Sequence, residues 1–205
     1  DGRSASASVV GTDPETDLAI LHIDLPNLTP IVVADAADIA VGDVVLAIGN
    51  PYGFGHSVSQ GIVSGVGRFG LQLSTYEGYI QTDASINRGN SGGPLFDMQG
   101  NVIGVNNAII SPTGGSVGIG FAIPADVAAP IIDKLISGVE IERGFLGVSI
   151  QPVNDDLADS LGLPRNRGEF VQIVQEDGAA DRAGIQPGDV VIAIDGKTVT
   201  SEQTL

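Results

Sequence analysis

The 205-residue chain is 42% apolar, enough for one good core or two modest ones, and it has no run of eighteen apolar residues that could span a membrane. A formal charge of −16, with Lys134 and Lys197 the only lysines, repels phosphate backbones and anionic lipid and so disfavours nucleic acid and membrane surfaces as partners. The absence of cysteine excludes disulfides, thiolate metal sites and cysteine nucleophiles.

Twenty-nine glycines and eleven prolines, with no long apolar periodic run, point to many short strands joined by turns. Asp1-Gly2-Arg3 reads as a hairpin turn rather than a natural start, and no signal peptide is visible. Residues 8–25 read as strand, polar corner (Gly11 to Asp17) and strand. Further apolar runs at 31–33, 44–48, 58–66, 79–82, 102–109 and 117–123 are bounded by turn pairs such as Gly42-Asp43, Asn50-Pro51, Gln99-Gly100 and Gly114-Gly115. Without intervening helices, this spacing predicts an antiparallel barrel or sandwich. Val127, Ile131, Ile132, Leu135 and Ile136 share one helical face, and Gly138 is placed to cap the helix C-terminus. Pro130 fits only near the start of this helix, and Asp126 caps it if it begins early. Residues 137–144 form the best domain boundary, dividing the chain into 1–138 and 139–205. Beyond it, strands are expected at Phe145–Ile150, Val171–Val174 and Val190–Ile194, with a short helical turn at Ala179–Ala183. Asp195-Gly196 is a two-residue hairpin signal before Lys197, and residues 201–205 resemble a capped helix start.

The strongest chemical signal is Gly89-Asn90-Ser91-Gly92-Gly93-Pro94-Leu95. A serine hydroxyl becomes a useful nucleophile only in a tight turn, next to a base and near backbone N–H donors. The flanking glycines allow such a turn and let the amides of Gly89 and Ser91 converge on one spot where an oxyanion could form. The same letters satisfy G-x-S-x-G, but that elbow leads straight into a helix, whereas residues 95–103 read as strand, turn and strand.

Beyond this motif, the run Gln81-Thr82-Asp83-Ala84-Ser85-Ile86-Asn87-Arg88-Gly89-Asn90-Ser91-Gly92-Gly93 resembles the nucleophile segment of HtrA (Deg) family proteases. So do Val10–Ala19, Ala47–Gly53 and Gly118–Pro124, all in family order, and the similarity covers essentially the whole chain. The resemblance implies an all-β fold, a trypsin-like double β-barrel whose first barrel is incomplete, followed by the N-terminal part of a PDZ domain. It implies Ser91 as nucleophile, Asp17 as the carboxylate that orients a histidine, and Gly89, Asn90 and Ser91 as the oxyanion hole. Ala108–Gly118 would be the loop beside the specificity pocket, with Ile119, Gly120, Phe121 and Ala122 as its wall and small aliphatic residues as its preference. Arg68–Gly78 resembles the loop that relays PDZ occupancy to the active site. Asn90 stands where digestive relatives carry an aspartate, so no buried charge awaits a freed N-terminal ammonium, and control by loop ordering is expected instead.

Such a site needs an imidazole between Asp17 and Ser91, and the chain holds two histidines. His22 lies in an apolar strand and reads as structural; His56, in Tyr52-Gly53-Phe54-Gly55-His56-Ser57, reads as a solvated loop residue. In the family the base lies upstream of the Asp-Gly-Arg turn, so the chain is read as truncated at both ends and inactive by itself.

Arg143-Gly144-Phe145-Leu146-Gly147 resembles the peptide-carboxylate loop of HtrA PDZ domains, and Gly178–Val191 matches a PDZ core segment. The loop amides would hold a C-terminal carboxylate while the peptide adds as a strand. The expected function is a serine endopeptidase that degrades unfolded envelope proteins in quality control and stress response. The longer protein is expected to be periplasmic, with or without a membrane anchor, and trimeric, with no metal or organic cofactor. The alternative is a non-catalytic, PDZ-bearing peptide-binding module or pseudoprotease.

Overall fold

The computed structural model describes residues 3–34, 39–165 and 167–200. The expected turn at Asp1-Gly2 and helix start at 201–205 lie outside these residues. The chain divides into two compact units, Asp1–Ile141 and Glu142–Leu205. Among the described residues, no helix is long and apolar enough to cross a membrane.

In the first unit, β1 (Ala7–Asp13) and β2 (Leu18–Ile23) form an antiparallel hairpin whose register shifts between Val9 and Gly11. Its corner is closed from within, because the Thr16 hydroxyl donates to the Asp13 carboxylate and both residues are buried. Six further strands close into a barrel: β3 (Val44–Gly49), β4 (Ser57–Arg68), β5 (Tyr79–Thr82), β6 (Pro94–Phe96), β7 (Val102–Ile109) and β8 (Gly120–Pro124). Their order around the barrel is β3-β4-β5-β8-β7-β6. Period-two alternation turns Val45 and Ala47 of β3 inward, where they meet Val63, Ile80, Leu95, Ile103 and Ala122. Of the run 31–33, only Val33 pairs, as an isolated bridge to Val102.

Helix α1 (Ala125–Ser137) ends as its sequence dictates, on Gly138 in the left-handed conformation. It begins at Ala125, so Asp126 lies within the first turn and does not cap it, the cap position being Pro124, and Pro130 stands inside the helix. The carbonyl that Pro130 leaves without a donor belongs to Asp126 on the exposed side of the first turns, where water can reach it. The apolar face of α1 covers a second core cluster of Leu18, Tyr79, Phe121, Ile123 and Ala128. This cluster anchors Leu18, and with it the hairpin corner that carries Asp17.

In the second unit, β9 (Val148–Pro152), β10 (Glu169–Val174) and β11 (Val190–Val191) form a three-stranded antiparallel sheet with β10 in the middle. β9 begins three residues later than the expected strand at Phe145. A separate hairpin pairs β12 (Ala193–Ile194) with β13 (Lys197–Thr198), and Asp195 and Gly196 both have positive φ, 49° and 78°, as a tight two-residue turn requires. Helix α2 (Asp155–Leu161) was not anticipated. It is capped by Asn154, whose side chain accepts from the Leu157 N–H, and it ends on left-handed Gly162. Helix α3 (Ala179–Arg182) is the expected short turn.

Glu169 is 1% exposed in this unit's interior, and its Oε2 has no hydrogen-bond partner among the described residues. Burial pushes its carboxyl pKa up. The folded state therefore binds this proton more tightly than the unfolded chain. Its contribution to stability is fullest below the ordinary carboxylate range and is lost as pH rises through the raised value. Glu169→Gln should raise the thermal midpoint of this unit by about 4–8 °C at pH 8, with the gain shrinking toward pH 4. Thermal unfolding followed by circular dichroism across that range tests this, and a gain independent of pH would contradict it.

Candidate active site

The segment from Asn87 to Gly93 makes two successive turns, with the Asn90 N–H donating to Asn87 O at 3.0 Å and the Gly93 N–H to Asn90 O at 2.9 Å. It is held on both flanks. On one, the Asn50 N–H reaches Gly89 O at 3.1 Å and the Tyr52 N–H reaches Arg88 O at 2.9 Å. On the other, the Gly92 N–H reaches Asn106 O and the Asn106 N–H reaches Gly93 O, both at 2.8 Å. Space and conformation both demand glycine at position 89. Its φ is +102°, and a Cβ there would stand 2.2 Å from Asn50 O. Among the described residues, the N–H groups of Gly89 and Ser91 donate to no backbone acceptor. Asn90, the third expected oxyanion donor, is turned inward: its N–H is engaged with Asn87, its buried side chain donates to Ser85 O at 3.3 Å, and its Oδ1 lacks a partner.

Ser91 is exposed, and its Oγ donates to the backbone carbonyl of Asn107 at 2.9 Å. Asp17, also exposed and in the left-handed region with φ +60°, accepts a hydrogen bond from Asn107 Nδ2 onto Oδ2 at 2.9 Å. Asn107 thus joins the two sequence-predicted catalytic residues through its backbone and its side chain. Sequence reading missed it. The available signal was the amide pair Asn106-Asn107 inside an otherwise apolar strand. Alternation sends Asn106 into the interior, where its Nδ2 donates to Pro94 O, and turns Asn107 the other way, toward Ser91 and Asp17.

His22 lies on β2 opposite Ser8, and His56 lies in the loop after a 3₁₀ turn at Pro51–Gly53; both are exposed. Neither provides a hydrogen bond to Ser91 or Asp17, whose partner is Asn107.

A cavity of about 260 Å³ opens beside Ser91, bounded by Ile86, Arg88, Ala108, Ile109 and Ser111. The loop over it is pinned by the Ser116 N–H donating to Asn87 Oδ1 at 2.8 Å. The residues expected to wall this pocket, Ile119, Gly120, Phe121 and Ala122, do not line it. Phe121 and Ala122 are buried in the two core clusters, and Gly120 backs Ile86, whose Cδ1 would lie 2.9 Å from a Cβ placed there. Ala108 and Ile109 of the neighbouring strand β7 line the cavity instead.

The loop Arg68–Gly78 is tied to the Asp17 corner. Glu77 accepts the N–H groups of Leu71 and Leu73, each at 2.8 Å, and the Tyr76 N–H donates to Glu15 O at 3.1 Å. At the loop's end, buried Tyr79 shares a hydrogen bond with Ser74. Burial pushes its phenol pKa up; the Ser74 bond opposes this, and the charges of Glu77 and Asp17 add to it. A neutral phenol therefore sits in the cluster that holds Leu18, the residue after Asp17.

In the second unit, Arg143, Gly144, Phe145, Leu146 and Gly147 run without regular structure into β9. Leu146 O accepts the Ala180 N–H at 2.9 Å and Gly147 O accepts the Gln175 N–H at 2.7 Å, while the N–H groups of Phe145 to Gly147 have no backbone acceptor among the described residues.

Residues 1–105 match the family model for a trypsin-like peptidase domain, and residues 135–204 match that for a PDZ domain. The chain is 49% identical over 207 residues to a probable periplasmic serine endoprotease DegP-like of Brucella suis, covering 100% of this chain and 40% of that protein. It is 45% identical over 202 residues to the periplasmic serine endoprotease DegP of Escherichia coli, covering 98% of this chain and 43% of that protein. The chain therefore spans less than half the length of these relatives. Among solved structures it resembles the HtrA-type protease AlgW with tripeptide, with a TM-score of 0.81 and 51% identity over 94% of this chain and 64% of that one. It also resembles the serine endoprotease from Yersinia pestis, with a TM-score of 0.67 and 38% identity over 100% of this chain and 64% of that one.

The two left-handed glycines of the bend should respond differently to a methyl group. Gly89→Ala meets both a strained φ and the Asn50 carbonyl, whereas Gly92→Ala, at φ +81°, meets open space. Gly89→Ala should destabilise the first unit by about 1–3 kcal/mol more than Gly92→Ala. Urea unfolding of both variants measures the difference, and equal midpoints would contradict the packing described.

Proposed function

Since the chain belongs to the HtrA (Deg) family of trypsin-like, PDZ-bearing serine proteases, we propose that it carries the nucleophile and the orienting carboxylate of a periplasmic endopeptidase acting on unfolded polypeptides. In this reading Ser91 Oγ attacks the peptide carbonyl, and the amides of Gly89 and Ser91 receive the oxyanion. An imidazole takes the serine proton and returns it to the leaving amine, with Asp17 holding that ring in the right tautomer. Neither His22 nor His56 is hydrogen-bonded to Ser91 or Asp17, so the reading requires an imidazole that neither of them supplies. The single observation that supports the reading best is the joint at Asn107, which holds Ser91 Oγ and Asp17 Oδ2 around one residue although Asp17 and Asn107 are ninety positions apart.

The cavity beside Ser91 takes the side chain before the scissile bond. Its apolar lining by Ile86, Ala108 and Ile109 favours a small aliphatic residue such as valine or alanine. In the second unit, the free amides of Phe145 to Gly147 would receive a peptide's C-terminal carboxylate, and the edge of β9 would take the peptide as an added strand. Occupancy of that groove would reach the catalytic corner through the loop Arg68–Gly78, by way of its bond to Glu15.

The test is hydrolysis of casein by the intact protein carrying this chain. Ser91→Ala should abolish it, leaving at most the ~10³–10⁴-fold acceleration over water typical of a broken triad. Asn107→Ala removes a hydrogen bond to a charged group and should lower kcat about 10–100-fold with little change in KM. Cleavage that survives Ser91→Ala would contradict the reading, as would a KM effect alone in Asn107→Ala.

A further inference from the structure

The serine bend has two flanks, and the proposed substrate cavity uses only the one formed by β7. The other is the loop from Asn50 to Gly55, tied to the bend by the bonds from Asn50 and Tyr52 and internally by the Gly55 N–H donating to Asn50 Oδ1 at 2.7 Å. Tyr52 is held there at φ +55°, a conformation that costs a bulky residue energy. The outcome is an outward aromatic pair: the rings of Tyr52 and Phe54 lie 6.5 Å apart and are 58% and 88% exposed. No core requirement explains two large rings projected into water by strained backbone, directly beside the residues that precede the nucleophile.

A peptide whose side chain before the scissile bond fills the cavity on the β7 flank crosses Ser91 and departs along the opposite flank. We infer that Tyr52 and Phe54 form a subsite on the leaving-group side, receiving an apolar side chain from the first or second residue after the cleaved bond of an unfolded polypeptide. Two uncharged rings open to solvent suit an aliphatic or aromatic side chain and reward its burial in proportion to area. Folded proteins keep such side chains inside, so the pair would also help the site select unfolded chains. The inference rests on the endopeptidase reading above.

The experiment uses the intact protein and a library of unstructured peptides with one fixed residue, valine, before the scissile bond. The first two positions after that bond are varied, and products are quantified by mass spectrometry. The wild type should favour aliphatic and aromatic residues over glycine in at least one of the two positions. In Tyr52→Ala/Phe54→Ala the ratio of kcat/KM, apolar over glycine, should fall about tenfold, and Phe54→Leu should keep most of it. An unchanged ratio overturns the subsite. So does a uniform fall for every peptide, which would make the loop a prop for the bend instead. A variant that alters the oligomeric state with the ratio unchanged likewise overturns it, because the pair would then be a contact between copies. Absence of any wild-type cleavage overturns the endopeptidase reading itself, and the subsite with it.

Discussion

Two hydrogen bonds to one residue organise the face of this protein that carries the proposed nucleophile and carboxylate. Asn107 accepts the Ser91 hydroxyl on its carbonyl and donates its side-chain amide to Asp17. The first bond depends on backbone and is fixed by the pairing of β7 with the bend. The second brings in the β1–β2 hairpin, which belongs to a different sheet. A bond to a carboxylate is stronger than one between neutral groups, and this one sets where a negative charge stands relative to the nucleophile. An imidazole placed between them would take over the Ser91 proton from the Asn107 carbonyl while Asp17 keeps its place.

The surrounding fold serves that placement. The bend is wedged between the end of β3 and β7, and its close approach to Asn50 leaves no room for any side chain at position 89. The hairpin corner is fixed from below by buried Leu18 and from within by the Thr16–Asp13 pair. The loop Arg68–Gly78 contributes a bond to the same corner through Glu15, and at its end Tyr79, its phenol kept neutral mainly by burial, packs in the cluster that contains Leu18. The loop expected to carry regulatory signals therefore has a physical route to the carboxylate that does not pass through the oxyanion turn.

Most of the barrel was legible in the sequence because its strands are short apolar runs cut by glycine and proline pairs, and the bend at residues 87–93 was legible because its glycines permit positive φ and close approach. Asp195-Gly196 announced its hairpin for the same reason. Asn107 was not legible: a polar residue in an apolar strand acquires a role only when another sheet brings Asp17 to it, and local pattern carries no record of that. The cavity lining was legible only in part: the loop expected beside it from Ala108 onward supplies Ala108, Ile109, Ser111 and Gly114, whereas nothing in the apolar run 119–122 marks Phe121 and Ala122 as core residues. Pro130 sits inside α1 because an exposed carbonyl near a helix start tolerates losing its donor. Helix α2, seven residues long with few apolar positions, left mainly its Asn154 cap and Gly162 as signals.

The central claim is that Ser91 is a nucleophile whose reactivity depends on Asp17. Treating the intact protein with a fluorophosphonate and locating adducts by mass spectrometry tests it directly. The account predicts a single adduct on Ser91 that forms far more slowly in Asp17→Asn. An unlabelled Ser91, or labelling at the same rate in Asp17→Asn, would contradict it.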